Sequence, residues 1–231
     1  FYSHADWVKT YGGISGDDYA YSVIQTYDNG YLITGSESSS GGSPFNDNVY
    51  LIRTDSRGET LWTRSYGEHN TDIGCDAVQT SDSGFAIVGF TGVPLSNYKV
   101  LLIRTDALGE TLWTHTYGGV YIDFGYDIAQ TPDNGFIIVG QTTSFGAGDY
   151  DVYLIKTDSL GDTMWTRTYG GLEPDGGISI YITPDGDFII AGHTSSFGAG
   201  DYDVYLLKID SFGDTIWTRT YGGSGMDAGQ S

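Results

Sequence analysis

Cysteine is almost absent from this chain of 231 residues. Cys75 stands alone, so no intrachain disulfide can staple the fold, and one thiol leaves the redox compartment open. Proline is scarce at 5, and basic residues are few: 10 Lys and Arg stand against 30 Asp and Glu, for a formal charge of −20. Such a surface repels nucleic-acid phosphates and anionic membrane headgroups, and it favours solubility and the company of cations. No apolar run approaches the roughly 20 residues of a membrane span, so no membrane insertion is expected, and no apolar pattern of helical spacing is sustained. Catalytic signatures are missing as well. The four histidines, His4, His69, His115 and His193, show no zinc spacing and no H-E-x-x-H, and no G-x-S-x-G elbow occurs. Gly41–Gly42 and Gly146–Gly148 do not open a helix and so make no phosphate cradle. The chain opens on Phe1 without a signal-like segment, as a processed, trimmed or partial product would.

Glycine and aromatics are abundant: Gly 35, Tyr 19, Phe 10 and Trp 5. Apolar residues make up 39%, enough for a core, and the wealth of Tyr, Phe, Thr, Val and Ile favours strands.

The organising feature is a repeat. Each tryptophan heads one motif: Trp7 (WVKTYGG), Trp62 (WTRSYG), Trp113 (WTHTYGG), Trp165 and Trp217 (both WTRTYGG), at spacings of 55, 51, 52 and 52 residues. An aspartate follows each at a nearly constant distance: Asp18, Asp72, Asp123, Asp175 and Asp227. The eleven residues SFGAGDYDVYL occur twice, at Ser144–Leu154 and Ser196–Leu206.

Within one unit the third repeat reads as a short strand (GYDIAQT), the turn PDNG, an apolar strand (GFIIVGQT), the loop SFGAGDYD, an alternating strand (DVYLIKTD), the turn DSLG and a last strand, DTMWTRTYGG. Asp28–Gly30, Asp82–Gly84 and Asp133–Gly135 supply positive-φ hairpin residues, with Asp185-Gly186-Asp187 as a variant. The second turn is D-x-x-G in every unit: Asp55–Gly58, Asp106–Gly109, Asp158–Gly161 and Asp210–Gly213. Four-stranded units of this length, repeated in series, are the signature of a β-propeller.

The expectation is therefore an all-β, propeller-type array in a single domain over residues 1–231. It has four four-stranded blades of roughly 52 residues, at about 14–67, 68–118, 119–170 and 171–222, and incomplete repeat pieces at 1–13 and 223–231.

Five-fold recurrence points to Trp7, Trp62, Trp113, Trp165 and Trp217 as structural residues buried between blades, ahead of a ligand-stacking surface. Eight of the ten cations also recur, Arg53, Arg104, Lys156 and Lys208 at one position and Lys9, Arg64, Arg167 and Arg219 at another, where the third copy has His115. These read as ion pairs with repeated aspartates, each worth about 1 kcal/mol or less where exposed. Asp149 with Asp151, and Asp201 with Asp203, pair carboxylates on loops. They are the candidate calcium ligands, although the EF-hand spacing is missing and ordinary loop aspartates are the simpler reading. No catalytic residue is assigned, and Cys75, inside a strand, reads as an inert thiol. The variable loops Ser38–Asn46 and Thr91–Asn97 are where a unique site would lie.

The pattern D-x-x-G-[DE]-T-x-W-T-x-[TS]-Y-G, with DxGF/YxIxG and SFGAGDYDVYLIKTD, resembles the propeller repeats of secreted bacterial surface proteins, many of which end in a type IX secretion sorting domain. The last two strands also distantly resemble the tryptophan-docking repeats of quinoprotein-type propellers. The resemblance implies an extracellular or cell-surface setting and a non-enzymatic structural or interaction module. The sorting domain itself is not in this sequence. The chain starts within a last-strand motif and ends just past another, so self-association through terminal strands into a head-to-tail filament is one expectation. A glycan- or calcium-binding adhesion module, with a glycan or a surface protein as partner, is the other.

Overall fold

A computed structural model describes residues 8–12, 16–38, 47–67, 71–93 and 96–227. Trp7, most of the Ser38–Asn46 loop and residues 228–231 lie outside them.

Sixteen strands form four antiparallel four-stranded sheets, each built in chain order. Blade 1 comprises β1 (Asp18–Gln25), β2 (Tyr31–Ser38), β3 (Asp47–Thr54) and β4 (Thr60–Tyr66). Blade 2 comprises β5 (Thr71–Gln79), β6 (Phe85–Val93), β7 (Asn97–Thr105) and β8 (Thr111–Tyr117). Blade 3 comprises β9 (Asp123–Gln130), β10 (Phe136–Thr142), β11 (Asp151–Thr157) and β12 (Thr163–Tyr169). Blade 4 comprises β13 (Asp175–Ile182), β14 (Phe188–Thr194), β15 (Asp203–Ile209) and β16 (Thr215–Tyr221). The first strands β1, β5, β9 and β13 pack against one another in series and so form the inner edge of the array. No helix among the described residues is long and apolar enough to cross a membrane.

The turn chemistry sets the hairpins. In the first turn the residue before glycine takes the left-handed conformation: Asn29 (φ 66°), Ser83 (φ 71°), Asn134 (φ 62°) and, in blade 4, Gly186 (φ 87°). The glycines that follow, at positions 30, 84 and 135, are needed for space. A Cβ there would strike the carbonyl oxygen of Thr54, Thr105 or Thr157. In the second turn the D-x-x-G aspartate accepts two main-chain N–H bonds, as Asp106 does from Leu108 (2.8 Å) and Glu110 (2.9 Å), while Gly109 stands at φ 78°.

The core is divided by the blades. One apolar cluster joins blades 1 and 2 (Leu32, Val49 and Leu51 against Phe85, Ile87 and Ile103). A second joins blades 2 and 3 (Val88, Val100 and Leu102 against Phe136, Ile138 and Ile155). A third joins blades 3 and 4 (Ile137, Val152 and Leu154 against Phe188, Ile190 and Leu207). Among the described residues no such cluster joins blade 4 to blade 1. Middle strands β10 and β11 are buried nearly throughout because both faces are covered. In β14 and β15 buried and half-buried residues alternate, because only one face is.

Candidate functional site

Two contacts repeat at each of the three blade junctions, and a third is made at two of them. The tryptophan of one blade meets the first phenylalanine of the next edge-on or tilted: Trp62 with Phe85 at 6.0 Å, Trp113 with Phe136 at 6.2 Å and Trp165 with Phe188 at 6.4 Å. The tyrosine four residues on donates its hydroxyl to the next blade's turn-glycine carbonyl. Tyr66 reaches Gly109 (2.7 Å), Tyr117 reaches Gly161 (2.7 Å) and Tyr169 reaches Gly213 (2.5 Å). A basic side chain crosses the same seam, as Arg64 does to Glu110 at 2.8 Å. Arg167 meets Asp214 in place of a glutamate, one methylene shorter, and bonds the Phe212 carbonyl instead (3.2 Å).

The sequence expectation of buried tryptophans needs correcting. Trp62, Trp113, Trp165 and Trp217 are half-buried. They lie on the outermost strand of each blade, where one ring edge meets solvent, and Arg64, Arg167 and Arg219 lie over three of the rings at 5.6–5.7 Å. Trp217 has no following phenylalanine to meet.

Residues 8–12 take the position of a preceding blade's last strand. Tyr11 donates to the Gly58 carbonyl (2.9 Å) and Lys9 pairs with Glu59 (2.7 Å), repeating the contacts of Tyr66 and Arg64 one blade earlier. At the other end the Asp227 amide donates to the Tyr202 carbonyl (2.6 Å), as the Asp175 amide does to Tyr150 (2.6 Å). Residues 8–12 and Asp227 thus repeat contacts of the kind made at the internal junctions.

The repeated cations pair as the sequence suggests. Arg53 meets Asp28 (2.5 Å), Arg104 meets Asp82 (2.5 Å), Lys156 meets Asp133 (2.9 Å), and Lys208 meets Asp187 (2.8 Å) and Asp185 (3.5 Å). Each ties the first turn of a blade to its third strand.

Deeper in each junction a third-strand residue faces the aspartate that opens the following blade. A Cβ placed on Gly67 would strike Asp72 Oδ2 and stand 2.6 Å from Asn48 Oδ1. At the next junction Lys99 Nζ lies 3.8 Å from Asp123 Oδ2. A Cβ on Gly170 would strike Asp151 Oδ1 and stand 2.6 Å from Asp175 Oδ2, and one on Gly222 would strike Asp203 Oδ1 and stand 3.0 Å from Asp227 Oδ2. Of the four aspartates considered for calcium, Asp151 is therefore buried against blade 4 and Asp203 is buried beside the segment of Gly222–Asp227, while Asp149 and Asp201 are exposed. Burial, and then the Asp175 charge, push the Asp151 carboxyl above its ordinary value. Burial likewise raises Asp72.

A second polar row runs along the inner strands. A bulge in each first strand re-aims the residue after it. This brings Ser22, Asp76, Asp127 and Ser179 into line. Ser22 Oγ donates to Asp76 Oδ1 (2.5 Å), and Ser179 Oγ donates to Asp127 Oδ2 (2.9 Å), which also accepts from the Ile180 amide (2.7 Å). Burial and then the neighbouring Asp127 charge push Asp76 up to about 7, so its carboxyl is part-protonated near neutrality. Next to it, burial pushes the Cys75 thiol up to about 12, which disfavours its thiolate. The sequence gives this row no common residue type, and only its fixed offset of four from the repeated aspartate could have revealed it.

No family model matches the chain. It is 28% identical over 110 residues to the regulatory protein FlaEY of Caulobacter vibrioides, a match covering 42% of this chain and 11% of that protein. Among solved structures it is similar to a eukaryotic initiation factor (TM-score 0.40, 10% identity, 87% of this chain and 55% of that one). It is also similar to the tail fiber of Staphylococcus aureus phage P68 (TM-score 0.29, 12% identity, 85% of this chain and 50% of that one). The chain thus spans about a tenth of the length of that curated relative and about half of these structures.

Proposed function

We propose that this chain is a non-enzymatic, extracellular structural module, one of the propeller repeats of secreted bacterial surface proteins, that joins copies head to tail. The observation that carries the reading is the mismatch at the two ends. Ile137, Val139, Val152 and Leu154 of blade 3 are fully buried by blade 4. Their counterparts Ile189, Ala191, Val204 and Leu206 on blade 4 keep the same apolar character and are half-exposed. At the opposite end, Tyr19 and Val23 of blade 1 are 54% and 64% exposed, and residues 8–12 cover only the outer part of that side.

Blade 4 of one copy fits blade 1 of the next because the three internal junctions already use this pairing. In the joined state the motif of Trp217–Gly223 and the motif that includes residues 8–12 compete for one position on blade 1. The second can be released to replace the outer strand of the neighbour's blade 4, a strand exchange between nearly identical sequences. Donor and acceptor surfaces differ, so the contact is heterologous and grows into a filament if it does not close. The match to a short part of a longer bacterial protein supports a modular role.

The test is sedimentation velocity over a wide concentration range, with electron microscopy of the heaviest species. Head-to-tail assembly gives an open-ended ladder of oligomers and thin fibres. A monomer at every concentration overturns the reading.

A further inference from the structure

The junction column Asn48, Lys99, Asp151 and Asp203, set against Asp72, Asp123, Asp175 and Asp227, is one structural position filled with three different charge balances. At the second junction the protein provides its own cation. Asp123, fully buried, has Lys99 Nζ at 3.8 Å and accepts from Thr142 Oγ1, from Ser144 Oγ (2.8 Å) and from the Gly119 amide (2.8 Å). At the third junction the lysine is replaced by a second carboxylate, Asp151. Asp151 is 2% and Asp175 is 0% exposed, and among the described residues no lysine or arginine pairs with either.

The Gly171 amide still donates to Asp175 Oδ2 (2.7 Å), as Gly119 does to Asp123, but the two hydroxyl donors have turned away. Thr194, the counterpart of Thr142, accepts from the amides of Ser196 and Phe197 (both 3.1 Å), and Ser196 Oγ donates to the Glu173 carbonyl (2.9 Å). Asp175 Oδ1 is left buried with no hydrogen-bond partner, and so is Asp203 Oδ1 at the last junction. The neighbouring imidazole of His193 does not fill the gap, since burial holds it below its ordinary value and hence neutral near pH 7. Two buried carboxylates facing one another without a countercharge are costly, and an orphaned oxygen on one of them is a free ligand position.

We propose that the Asp151–Asp175 junction binds a divalent cation of the calcium class, which does there what the Lys99 ammonium does one junction earlier. Resting on the assembly reading above, the Asp203–Asp227 junction completes the same site when another blade covers Asp227, now exposed. The donor set is oxygen alone, which favours a hard cation over zinc. Among the described residues no group of three or more His, Cys, Asp or Glu side chains converges. Main-chain carbonyls and water therefore complete the shell, as calcium tolerates and zinc does not.

The experiment is calorimetric titration of dilute, monomeric protein with calcium chloride, paired with thermal melts in calcium and in chelator. Wild type should bind about one calcium per chain saturably and melt higher in calcium. Asp151→Asn, which copies the Asn48 junction, should lose both effects. Asp151→Lys, which copies the Lys99 junction, should also lose them and melt alike in calcium and chelator. Lys99→Asp should add a second calcium. Asp203→Asn should leave binding by the dilute monomer unchanged and remove calcium's effect only on assembly, which separates this site from the head-to-tail contact. No binding by wild type, with melting indifferent to chelator and rising as pH falls, would mean that the two carboxylates share a proton, and the proposal would fail. Calcium binding undiminished in Asp151→Asn overturns it equally. If Lys99→Asp does not fold, wild type against Asp151→Asn decides alone.

Discussion

The same eleven residues, SFGAGDYDVYL, sit in two different surroundings. In the first copy Val152 and Leu154 are fully buried because blade 4 covers them, while Val204 and Leu206 of the second copy are half-buried, since among the described residues no further blade covers them. The parts of the copies that do not depend on a neighbour match. The Ala147 and Ala199 amides donate to Asp151 and Asp203 at 2.7 and 2.6 Å. The local sequence thus sets the loop and the strand, and the following blade sets the burial. On the proposed assembly, blade 4 is the surface that a second copy would cover.

The largest break in this comparison comes from truncating its two leucines. Leu154→Ala should cost about 4 kcal/mol, as a fully buried leucine does, and Leu206→Ala about 1 kcal/mol in the monomer, both read from urea melts. Equal costs would mean that blade 4 is covered after all. Trp113→Ala should cost about 3 kcal/mol, at the low end for a tryptophan because one edge is solvated. Trp217→Ala, with no Phe to meet, should cost about 1 kcal/mol. Equal losses for the two tryptophans would show that the seam contact contributes little.

The middle blades can also be set against the end blades through the inner row, where Asp76 and Asp127 stand between Ser22 and Ser179. Asp76 is raised from 3.8 to about 7 in the folded chain, so the fold binds this proton more tightly than the unfolded chain does. Its contribution is present in full below the unfolded value and is lost as pH rises through the folded value. The melting temperature should fall between about pH 4 and about pH 7, and Asp76→Asn should flatten that slope. A slope unchanged in the variant would place its origin elsewhere. The smallest effect is expected at the seam ion pairs. Arg64→Ala should change stability by about 0.5 kcal/mol and Lys9→Ala should change it no more, because Glu110 and Glu59 are largely exposed. A loss well above that would make the pairs part of the fold's main support.

The strands, their order and both turn types were legible from the sequence because they are local. A repeated D-x-x-G needs only its own backbone, and an apolar run such as Phe136–Val139 declares a strand covered on both faces. What remained hidden depends on register between blades. Asp149 and Asp151 look like a pair in sequence, but residues two apart on a loop need not point together, and Asp151 instead faces Asp175 of the next blade. The inner row was illegible for a related reason. The bulges that align it fall at Tyr21, Cys75, Tyr126 and Ile178, and Ser, Asp, Asp and Ser at the aligned position do not read as a motif. The tryptophans announced their place at the seam but not their half-exposure, because nothing in WTRTYGG says that its strand is the outermost.

The central claim is that blade 4 of one copy is complementary to blade 1 of another. It is tested most directly with two one-sided variants in the sedimentation experiment. Leu206→Asp spoils only the blade 4 face, and Ile33→Asp only the blade 1 face. Each variant alone should sediment as a monomer, and their equimolar mixture should form a heterodimer that grows no further, since one good face of each kind remains. A mixture that stays monomeric at concentrations where wild type assembles, or a variant that self-associates alone as well as wild type does, would contradict the head-to-tail account.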